Sequence, residues 1–251
     1  HFEAGNRCFD QRVPEETNRK IVDHIADINL TYSSIARDYL IQEGLSPDRI
    51  IKIGSPMLEV IEENKLKIEN SNILTKLKLK STEYILVSSH REENVDNNLN
   101  LKSLIDSINF LSLKYKIPII FPMHPRTRKR IKESKFKLTK SVNVINPLGF
   151  SDYCKLQMNS FVVLSDSGTI FEESSILNFR ALNLRESHER PEAFEESSVV
   201  VSGLNKNRII QGIEILKSQT VGKTRNLNIV NDYNIKNVSL KLERIILSYI
   251  D

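Results

Sequence analysis

The segment 161–173, FVVLSDSGTIFEE, has the residue types of a phosphate site. Its apolar, β-branched run predicts a strand that ends at a polar turn, after which a helix begins. In a parallel α/β sheet, such a corner lies at the carboxyl ends of the strands, where ligands bind. Ser167, Gly168 and Thr169 would present free backbone N–H groups and hydroxyls at a helix N-terminus, which is a natural position for phosphate.

Two adjacent carboxylates follow this turn. Glu172 and Glu173 fall in the first turn of the predicted helix, where a carboxylate could accept hydrogen bonds from a ribose diol beside the phosphate. A well-capped helix explains the same residues without any ligand, since Thr169 and Glu172 have the spacing of a capping box. The corner alone does not decide between the two interpretations.

Two histidines and one charged loop also follow predicted strands. His90 comes after the run 84–88 and His124 after 117–121, and a histidine there can donate to phosphate or move a proton near neutral pH. A surface loop explains either histidine alone, but on adjacent strands both would face the same cleft. The loop 185–192, RESHERPE, follows another strand and contains Arg185, Glu189 and Arg190; a solvated loop is its plain alternative.

The amino-terminal segment contains a second cluster of charged residues. Glu3 lies at a predicted strand end, close to Arg7, and the run 14–19, PEETNR, opens a helix with Glu15 and Arg19. A helix start explains the proline and the acids of this run. It does not explain why so many charges gather at one end of the sheet. Paired carboxylates in a cleft suit proton transfer at a weakly acidic carbon.

Short apolar runs alternate with amphipathic segments over the whole chain, which predicts a parallel α/β fold. The strand candidates are 28–31, 50–53, 84–88, 117–121, 142–145, 161–165, 181–184 and 199–202, and the helix candidates are 15–25, 33–42, 98–113, 170–177, 206–217 and 239–249. A Lys- and Asn-rich stretch predicts a boundary near residues 56–80. We therefore expect an incomplete first domain over 1–60, a second domain over 61–235 and a terminal helix over 236–251.

The composition excludes several classes of protein. The chain has 251 residues, 39% hydrophobic and 27% charged, and a net charge of +4, which is ordinary for a soluble globular protein. Clustered basic residues are confined to 126–130, where a solvated helix face is favoured, so we expect no nucleic-acid partner. No apolar run is long enough to span a membrane. Cys8 and Cys154 lack metal-type spacing, which fits a reducing cytoplasm and predicts no metal site.

Five motifs, taken in order, resemble those of the non-hydrolysing UDP-N-acetylglucosamine 2-epimerases. They are HFEAGNR at 1–7, PEETNR at 14–19, SHRE at 89–92, SDSG at 165–168 with Glu172 and Glu173, and ERPE at 189–192. The resemblance runs from residue 1 to about 217. It implies two Rossmann-like domains in the glycosyltransferase-B arrangement, the first of them incomplete here. It also implies inversion at C2 of a UDP-N-acetylhexosamine, by elimination and re-addition of UDP, without a metal or redox cofactor.

The resemblance also implies roles for individual residues. Glu3 and Glu15 match the catalytic carboxylates, and His90 matches the histidine that assists the departing diphosphate. The turn 167–169 would hold phosphate and Glu173 the ribose. Lesser substrate contacts are implied for Arg7, Arg19, His124, Arg185, Glu189 and Arg190.

Two departures from the family pattern modify these expectations. The family's amino-terminal half-domain, with its Gly-Asp-Thr loop, precedes the matched region, so we expect that this chain alone could lack activity. The sequence HREE at 90–93, Asn6 in place of the usual leucine, and GSPM at 54–57 resemble the branch that epimerises UDP-N-acetyl-6-deoxy-L-hexosamines. That branch makes UDP-N-acetyl-L-fucosamine for capsules and O-antigens.

The leading hypothesis is therefore a cytoplasmic, homodimeric UDP-N-acetylhexosamine 2-epimerase. A glycosyltransferase of the same architecture is the alternative enzyme. A non-catalytic fragment that binds UDP through residues 84–217 is the alternative from another class.

Overall fold

Short parallel strands form the two sheets of the protein. The computed structural model describes residues 1–11 and 13–249, and all eight strand candidates correspond to strands within these ranges. A further short strand begins the chain. The strands are β1 Phe2–Ala4, β2 Asn29–Thr31, β3 Ile50–Lys52, β4 Ile85–Ser88, β5 Ile119–Pro122, β6 Val142–Ile145, β7 Val162–Ser165, β8 Ala181–Asn183 and β9 Val200–Val201.

Each of the six helix candidates corresponds to a helix, and the described residues contain seven further helices that are not among these candidates. They are α1 Pro14–Ile25, α2 Ser34–Gln42, α3 Met57–Glu63, α4 Lys65–Glu69, α5 Ile73–Lys76, α6 Glu92–Val95, α7 Asn98–Tyr115, α8 Pro125–Glu133, α9 Phe150–Asn159, α10 Ile170–Leu177, α11 Glu192–Glu195, α12 Lys206–Leu216 and α13 Val238–Ser248. Of the predicted terminal segment, positions 250 and 251 lie outside the described residues. None of the described helices combines the length and apolar character needed to cross a bilayer.

The chain divides into two compact units, each with its own sheet. The first unit consists of His1–Glu63, Ser187–Ser197 and the described residues from Asn228 onward; the second consists of Asn64–Glu186 and Ser198–Leu227. The first boundary, after Glu63, falls in the stretch where the sequence places it. Residues 187–197 and 228–235, which the sequence analysis includes in the second domain, lie in the first unit.

The first unit is built on a small parallel sheet in the order β1-β2-β3. Ala4, Leu40 and Ile50 pack together on this sheet, and Leu30, Ile53 and Val238 form a second apolar group in which α13 takes part. The carboxyl-terminal helix therefore completes the core of the unit that contains the amino-terminal strand.

The second unit is a six-stranded parallel sheet in the order β6-β5-β4-β7-β8-β9. Renumbered within the unit, this is the Rossmann order 3-2-1-4-5-6, whose direction of winding reverses between β4 and β7. Strands buried on both faces explain the continuous apolar runs, and one cluster of residues from the central strands and from α7 and α12 forms the core. The α/β class and the parallel sheets are confirmed.

Candidate functional site

The turn between β7 and α10 lies at the switch point of the second unit's sheet. Its hydroxyls bond within the turn: the Ser167 N–H donates to Oγ of Ser165 at 3.1 Å, and the Thr169 N–H donates to Oγ of Ser167 at 3.3 Å. Two of the N–H groups expected to be free are thus bonded to hydroxyls of their own turn. A phosphate oxygen could compete with these neutral bonds, since charge-assisted bonds are the stronger kind.

Glu173 is a buried carboxylate directly behind this turn. Only 7% of the residue is exposed; its carboxylate accepts from Oγ1 of Thr169 at 2.9 Å and from Nε2 of Gln157 at 2.5 Å. Burial raises the pKa of Glu173, and the two hydrogen bonds act in the opposite direction. The Thr169 hydroxyl therefore bonds Glu173, and no side-chain bond caps the start of α10. The capping-box interpretation is wrong for this reason.

Helix α9 contributes polar side chains that the sequence analysis does not identify. Tyr153 and Gln157, four residues apart on α9, lie on the side of Glu173: Gln157 bonds its carboxylate, and burial raises the pKa of the Tyr153 hydroxyl, with Glu173 adding to the shift. Burial also raises the pKa of Cys154 to about 12, which leaves that thiol protonated. The spacing of Tyr153 and Gln157 was the available signal, but nothing in it names Glu173 as their neighbour.

A buried aspartate fixes the loop that contains His90. The side chain of Asp166, at the end of β7, is fully buried, and its Oδ2 accepts from Oγ of Ser89 at 2.7 Å and from Nδ2 of Asn94 at 3.1 Å. The same oxygen accepts the N–H groups of His90 at 3.0 Å and Arg91 at 3.1 Å. One carboxylate thus binds four donors from the loop after the neighbouring strand β4, which makes Asp166 the anchor of that loop.

The two histidines of the second unit lie together, as adjacent strands predict. The ring centroids of His90 and His124 are 6.2 Å apart, and both side chains are exposed. Nδ1 of His124 accepts the N–H of Arg126 at 3.2 Å and so caps α8. A cap requires the neutral tautomer with its proton on Nε2, so His124 retains one outward donor.

Arg185 lies buried at the carboxyl end of β8 in the same unit. Its side chain is 2% exposed, and Nε is 3.6 Å from Oε1 of Glu93. The backbone N–H of Arg185 donates to Oδ1 of Asn183 at 2.9 Å, which fixes the start of the loop. This arginine therefore faces the helix that follows His90 rather than open solvent.

In the first unit, Glu3 is held on one side only. Its Oε1 accepts from Nδ2 of Asn6 at 3.1 Å and from Nη2 of Arg190, while 44% of the side chain is exposed. The Arg190 guanidinium also lies over the Tyr32 ring, 5.2 Å from its centroid. Arg190 thus contacts Glu3, 187 positions away in the chain, which the sequence analysis does not predict.

The paired glutamates at the start of α1 have different environments. Glu16 is fully buried and accepts the N–H groups of Cys8 at 2.9 Å and Phe9 at 3.2 Å, so it holds the preceding loop. Glu15 is half-buried. Arg19, one turn further, reaches Oε1 of Glu189 at 3.2 Å. The structure therefore gives Glu16 a loop-holding role, whereas Glu15 is partly exposed at the same helix end.

Arg7 is part of the framework of the first unit. Its side chain is fully buried; Nε and Nη2 donate to the two oxygens of Glu43, each at 2.7 Å, and Nη1 donates to Asp23 at 2.6 Å. Asp23 also accepts the N–H of Gly5 at 3.3 Å. A substrate could not reach this guanidinium without breaking the network. The substrate contact expected for Arg7 is therefore corrected to a structural role.

The segment 187–197 is attached to the first unit by its charged motif. Glu189 pairs with Arg19, Arg190 with Glu3, and Glu192 accepts from the Tyr233 hydroxyl at 2.8 Å. Each of the three charged residues thus contacts a different element of that unit. Among the described residues, no group of three His, Cys, Asp or Glu side chains is arranged to hold a metal ion.

The sequence and the fold of the chain are similar to those of known proteins. A family model described as UDP-N-acetylglucosamine 2-epimerase matches residues 1–247. The structure of the enzyme of that name from Rickettsia bellii matches with a TM-score of 0.91 and 45% identity, covering 99% of this chain and 67% of the other. The Methanocaldococcus jannaschii UDP-GlcNAc 2-epimerase in complex with UDP-GlcNAc and UDP matches with a TM-score of 0.89 and 33% identity, over 99% and 68% of the two chains.

The curated Methanocaldococcus jannaschii UDP-N-acetylglucosamine 2-epimerase is 36% identical over 224 residues, which are 86% of this chain and 61% of the relative. The chain thus spans about three fifths of the length of the curated relatives it matches. Because the family model matches residues 1–247, the chain belongs to the UDP-N-acetylglucosamine 2-epimerase family.

Proposed function

We propose that the protein inverts C2 of a UDP-N-acetylhexosamine by eliminating UDP and adding it back. In the first half-reaction the proton leaves C2, its electron pair forms the C1–C2 double bond, and the C1–O bond to UDP breaks. After C2 is protonated on the opposite face, UDP returns to C1. Family membership supports this reaction class, and the side chains of the two units support a division of labour in it.

We assign the nucleotide to the second unit. The observation that carries the proposal is the composition of its switch-point edge, where His90, the Ser167–Thr169 turn and buried Glu173 follow the neighbouring strands β4 and β7. A helix start with N–H and O–H donors suits the diphosphate, and the carboxylate behind it suits the ribose hydroxyls. His90 would donate to the leaving diphosphate as its negative charge develops. His124 and Arg185 lie at the same edge as lesser contacts.

We assign the sugar chemistry to the carboxylates of the first unit. Glu3 has one carboxylate oxygen bonded to the protein and a side chain open to solvent, and Glu15 is a partly exposed acid at the start of α1. A half-open carboxylate can take a proton from C2 or return one. Arg19 pairs with Glu189 and would hold the start of α1, which contains Glu15, against the 187–197 segment.

We further propose that the substrate belongs to the 6-deoxy-L series, with UDP-N-acetyl-L-fucosamine as the product that surface-polysaccharide synthesis would use. The support is local: Asn6, the HREE sequence at 90–93 and the GSPM sequence at 54–57 match that branch. Asn6 contacts the proposed catalytic Glu3 directly, so this departure from the usual leucine lies where it can matter to the sugar.

Deuterium exchange at C2 tests the reaction. The protein is incubated in D2O with UDP-N-acetylglucosamine and, separately, with a 6-deoxy-L-hexosamine counterpart, and loss of the H2 signal is followed by proton NMR. An epimerase incorporates solvent deuterium at C2 and forms the second epimer. A glycosyltransferase leaves C2 untouched, and the absence of exchange with both substrates, despite UDP binding, would contradict the proposal.

Matched variants test the assigned carboxylate. Glu15→Gln should lower the C2 exchange rate at least about 100-fold, because general acid–base catalysis contributes 10²–10⁴. Its UDP affinity should stay within about threefold, since the nucleotide is assigned to the other unit. The control is Glu63→Gln, an exposed acid of the same unit. Exchange that persists in Glu15→Gln would remove this residue from the mechanism.

We also propose a cytoplasmic homodimer. Both cysteines are free thiols, which suits a reducing compartment. Light scattering coupled to size exclusion gives the assembly state, and a monomeric mass across the working concentration range would contradict the dimer.

A further inference from the structure

The carboxylate of Glu3 has two unlike oxygens. Oε1 accepts from Nδ2 of Asn6 at 3.1 Å and from Nη2 of Arg190, whereas Oε2 has no contact among the described residues. The terminal torsion of a glutamate is broad and roughly two-fold, so an unbonded carboxylate would sample many orientations. Two donors on one oxygen fix the plane of the group, while 44% of the side chain is exposed.

The two donors are themselves immobilised. Arg190 is 4% exposed and its guanidinium lies against the Tyr32 ring, and Asn6 is also 4% exposed. A cation over an aromatic face is held electrostatically as well as by packing. Both donors are thus enclosed by packing where they contact Oε1.

The backbone under Glu3 is also constrained. Glu3 has φ +70°, a left-handed conformation that costs a non-glycine residue energy, and Gly5 has φ +80°. A Cβ atom at Gly5 would lie 2.3 Å from the Ala36 carbonyl oxygen, so only glycine allows this approach. The backbone and the carboxylate of Glu3 are thus positioned independently, which is the arrangement that a reacting group needs.

We propose that Asn6 and Arg190 are positioning residues for Glu3: by bonding Oε1, they orient the carboxylate so that Oε2 is the oxygen that exchanges a proton with C2 of the sugar. The inference rests on the proposed function. In the elimination direction the C2–H bond breaks, the proton passes to Oε2, the electron pair forms the C1–C2 double bond, and UDP leaves with the electrons of the C1–O bond. Arg190 balances the negative charge of the carboxylate before the transfer, and Asn6 holds the orientation with a neutral donor.

Steady-state kinetics of C2 exchange test the inference with Arg190→Met, Arg190→Lys and Asn6→Leu. Arg190→Met should lower kcat about 30-fold, because the carboxylate loses a charge-assisted hydrogen bond. Asn6→Leu keeps the branched shape of the side chain, although leucine is larger, and removes the donor; it should lower kcat about fivefold, as one neutral donor is worth less. KM and the UDP dissociation constant should change less than about twofold, and Arg190→Lys should regain most of the lost rate.

Two controls separate positioning from stability and from the reaction itself. Arg49→Met removes an exposed arginine of the same unit and should keep the wild-type kcat. Glu3→Gln tests the reaction: if it exchanges deuterium as fast as the wild type, the role of Glu3 in the proposed function fails. If Glu3→Gln is inactive while both Arg190→Met and Asn6→Leu keep the wild-type kcat, this inference alone is overturned. Should Arg190→Met fail to fold, Arg190→Lys and Asn6→Leu decide the outcome.

Discussion

Removing the negative charge of Asp166 should loosen the His90 loop without unfolding the second unit. The side chain is fully buried and binds the Ser89 hydroxyl, the Asn94 amide and the backbone N–H groups of His90 and Arg91. Asp166→Asn keeps the shape and one acceptor oxygen, but it removes the charge and replaces the other oxygen with an NH2 donor. Asp166→Ala removes the anchor altogether.

The four hydrogen bonds set the size of the effect. A bond to a charged group contributes about 1.5–3 kcal/mol and a bond between neutral groups about 0.5–1.5 kcal/mol, so each bond loses about 1 kcal/mol in Asp166→Asn. Relief of the desolvation of a buried charge offsets part of that sum. We therefore expect a net loss of about 2 kcal/mol for Asp166→Asn and about 4 kcal/mol for Asp166→Ala, against a total stability of about 5–15 kcal/mol.

Amide hydrogen exchange measures this loss at the loop itself. If the loop opens locally, 2 kcal/mol corresponds to about 30-fold faster exchange of the His90 and Arg91 amides. Amides in the central strand β4 should keep their protection. The matched control is Asp106→Asn, an exposed aspartate on α7 that should leave both amides unchanged. Wild-type protection of the two amides in Asp166→Ala would refute the anchor role, because the backbone would then hold the loop unaided.

Two carboxylates whose pKa values are shifted in opposite directions give further predictions. Burial raises the pKa of Glu173 above the usual 4.5, so the stability it contributes is present below pH 4.5 and is lost as pH rises through its folded pKa. Glu173→Gln should therefore have a higher thermal midpoint than the wild type at neutral pH and an equal midpoint below pH 4.5. Equal midpoints at both pH values would contradict the burial argument. In calorimetry, the same variant should bind UDP about tenfold more weakly. The Arg7 hydrogen bond lowers the pKa of Glu43, so its contribution is present above pH 4.5 and is lost as pH falls through its folded pKa. Glu43→Gln should lower the free energy of unfolding at pH 7 by about 3 kcal/mol in urea titrations, because Arg7 stays buried with one partner fewer. If the wild type and the variant differed by the same amount at pH 3, the Arg7–Glu43 interaction would not be the origin of the effect.

The periodicity of the chain was sufficient to predict its central strands and six of the helices in the described residues, but not the other seven, which include α8 and α9. Strands buried on both faces read as continuous apolar runs, and all eight strand candidates are observed. The additional strand, Phe2–Ala4, is not among the strand candidates, although the sequence analysis places Glu3 at a strand end. The motif order was enough to predict the family and the α/β class, since each motif falls at a strand end or a helix start.

The environments of neighbouring identical residues were not predictable. Glu15 and Glu16 are equivalent in the sequence, yet Glu16 is fully buried under the Cys8 and Phe9 amides while Glu15 is half-buried. Arg7 stands in a functional motif and nevertheless serves the framework through Glu43 and Asp23. Local spacing determines which face of an element a residue occupies, but not what packs against that face.

The sequence by itself determined the strands, the longer amphipathic helices among its candidates and the motifs that could do chemistry, whereas the order of the strands in the two sheets came from the structure. Only the tertiary structure decided the partners: Arg190 with Glu3, 187 positions apart, and Asp166 with the His90 loop, more than 70 positions apart. The physical reason is that secondary structure follows from interactions within a few residues, whereas a charged group finds its partner through the topology that brings distant strand ends and loops together. Where several carboxylates and guanidiniums are available, burial and geometry select the pairs, and both are properties of the folded chain.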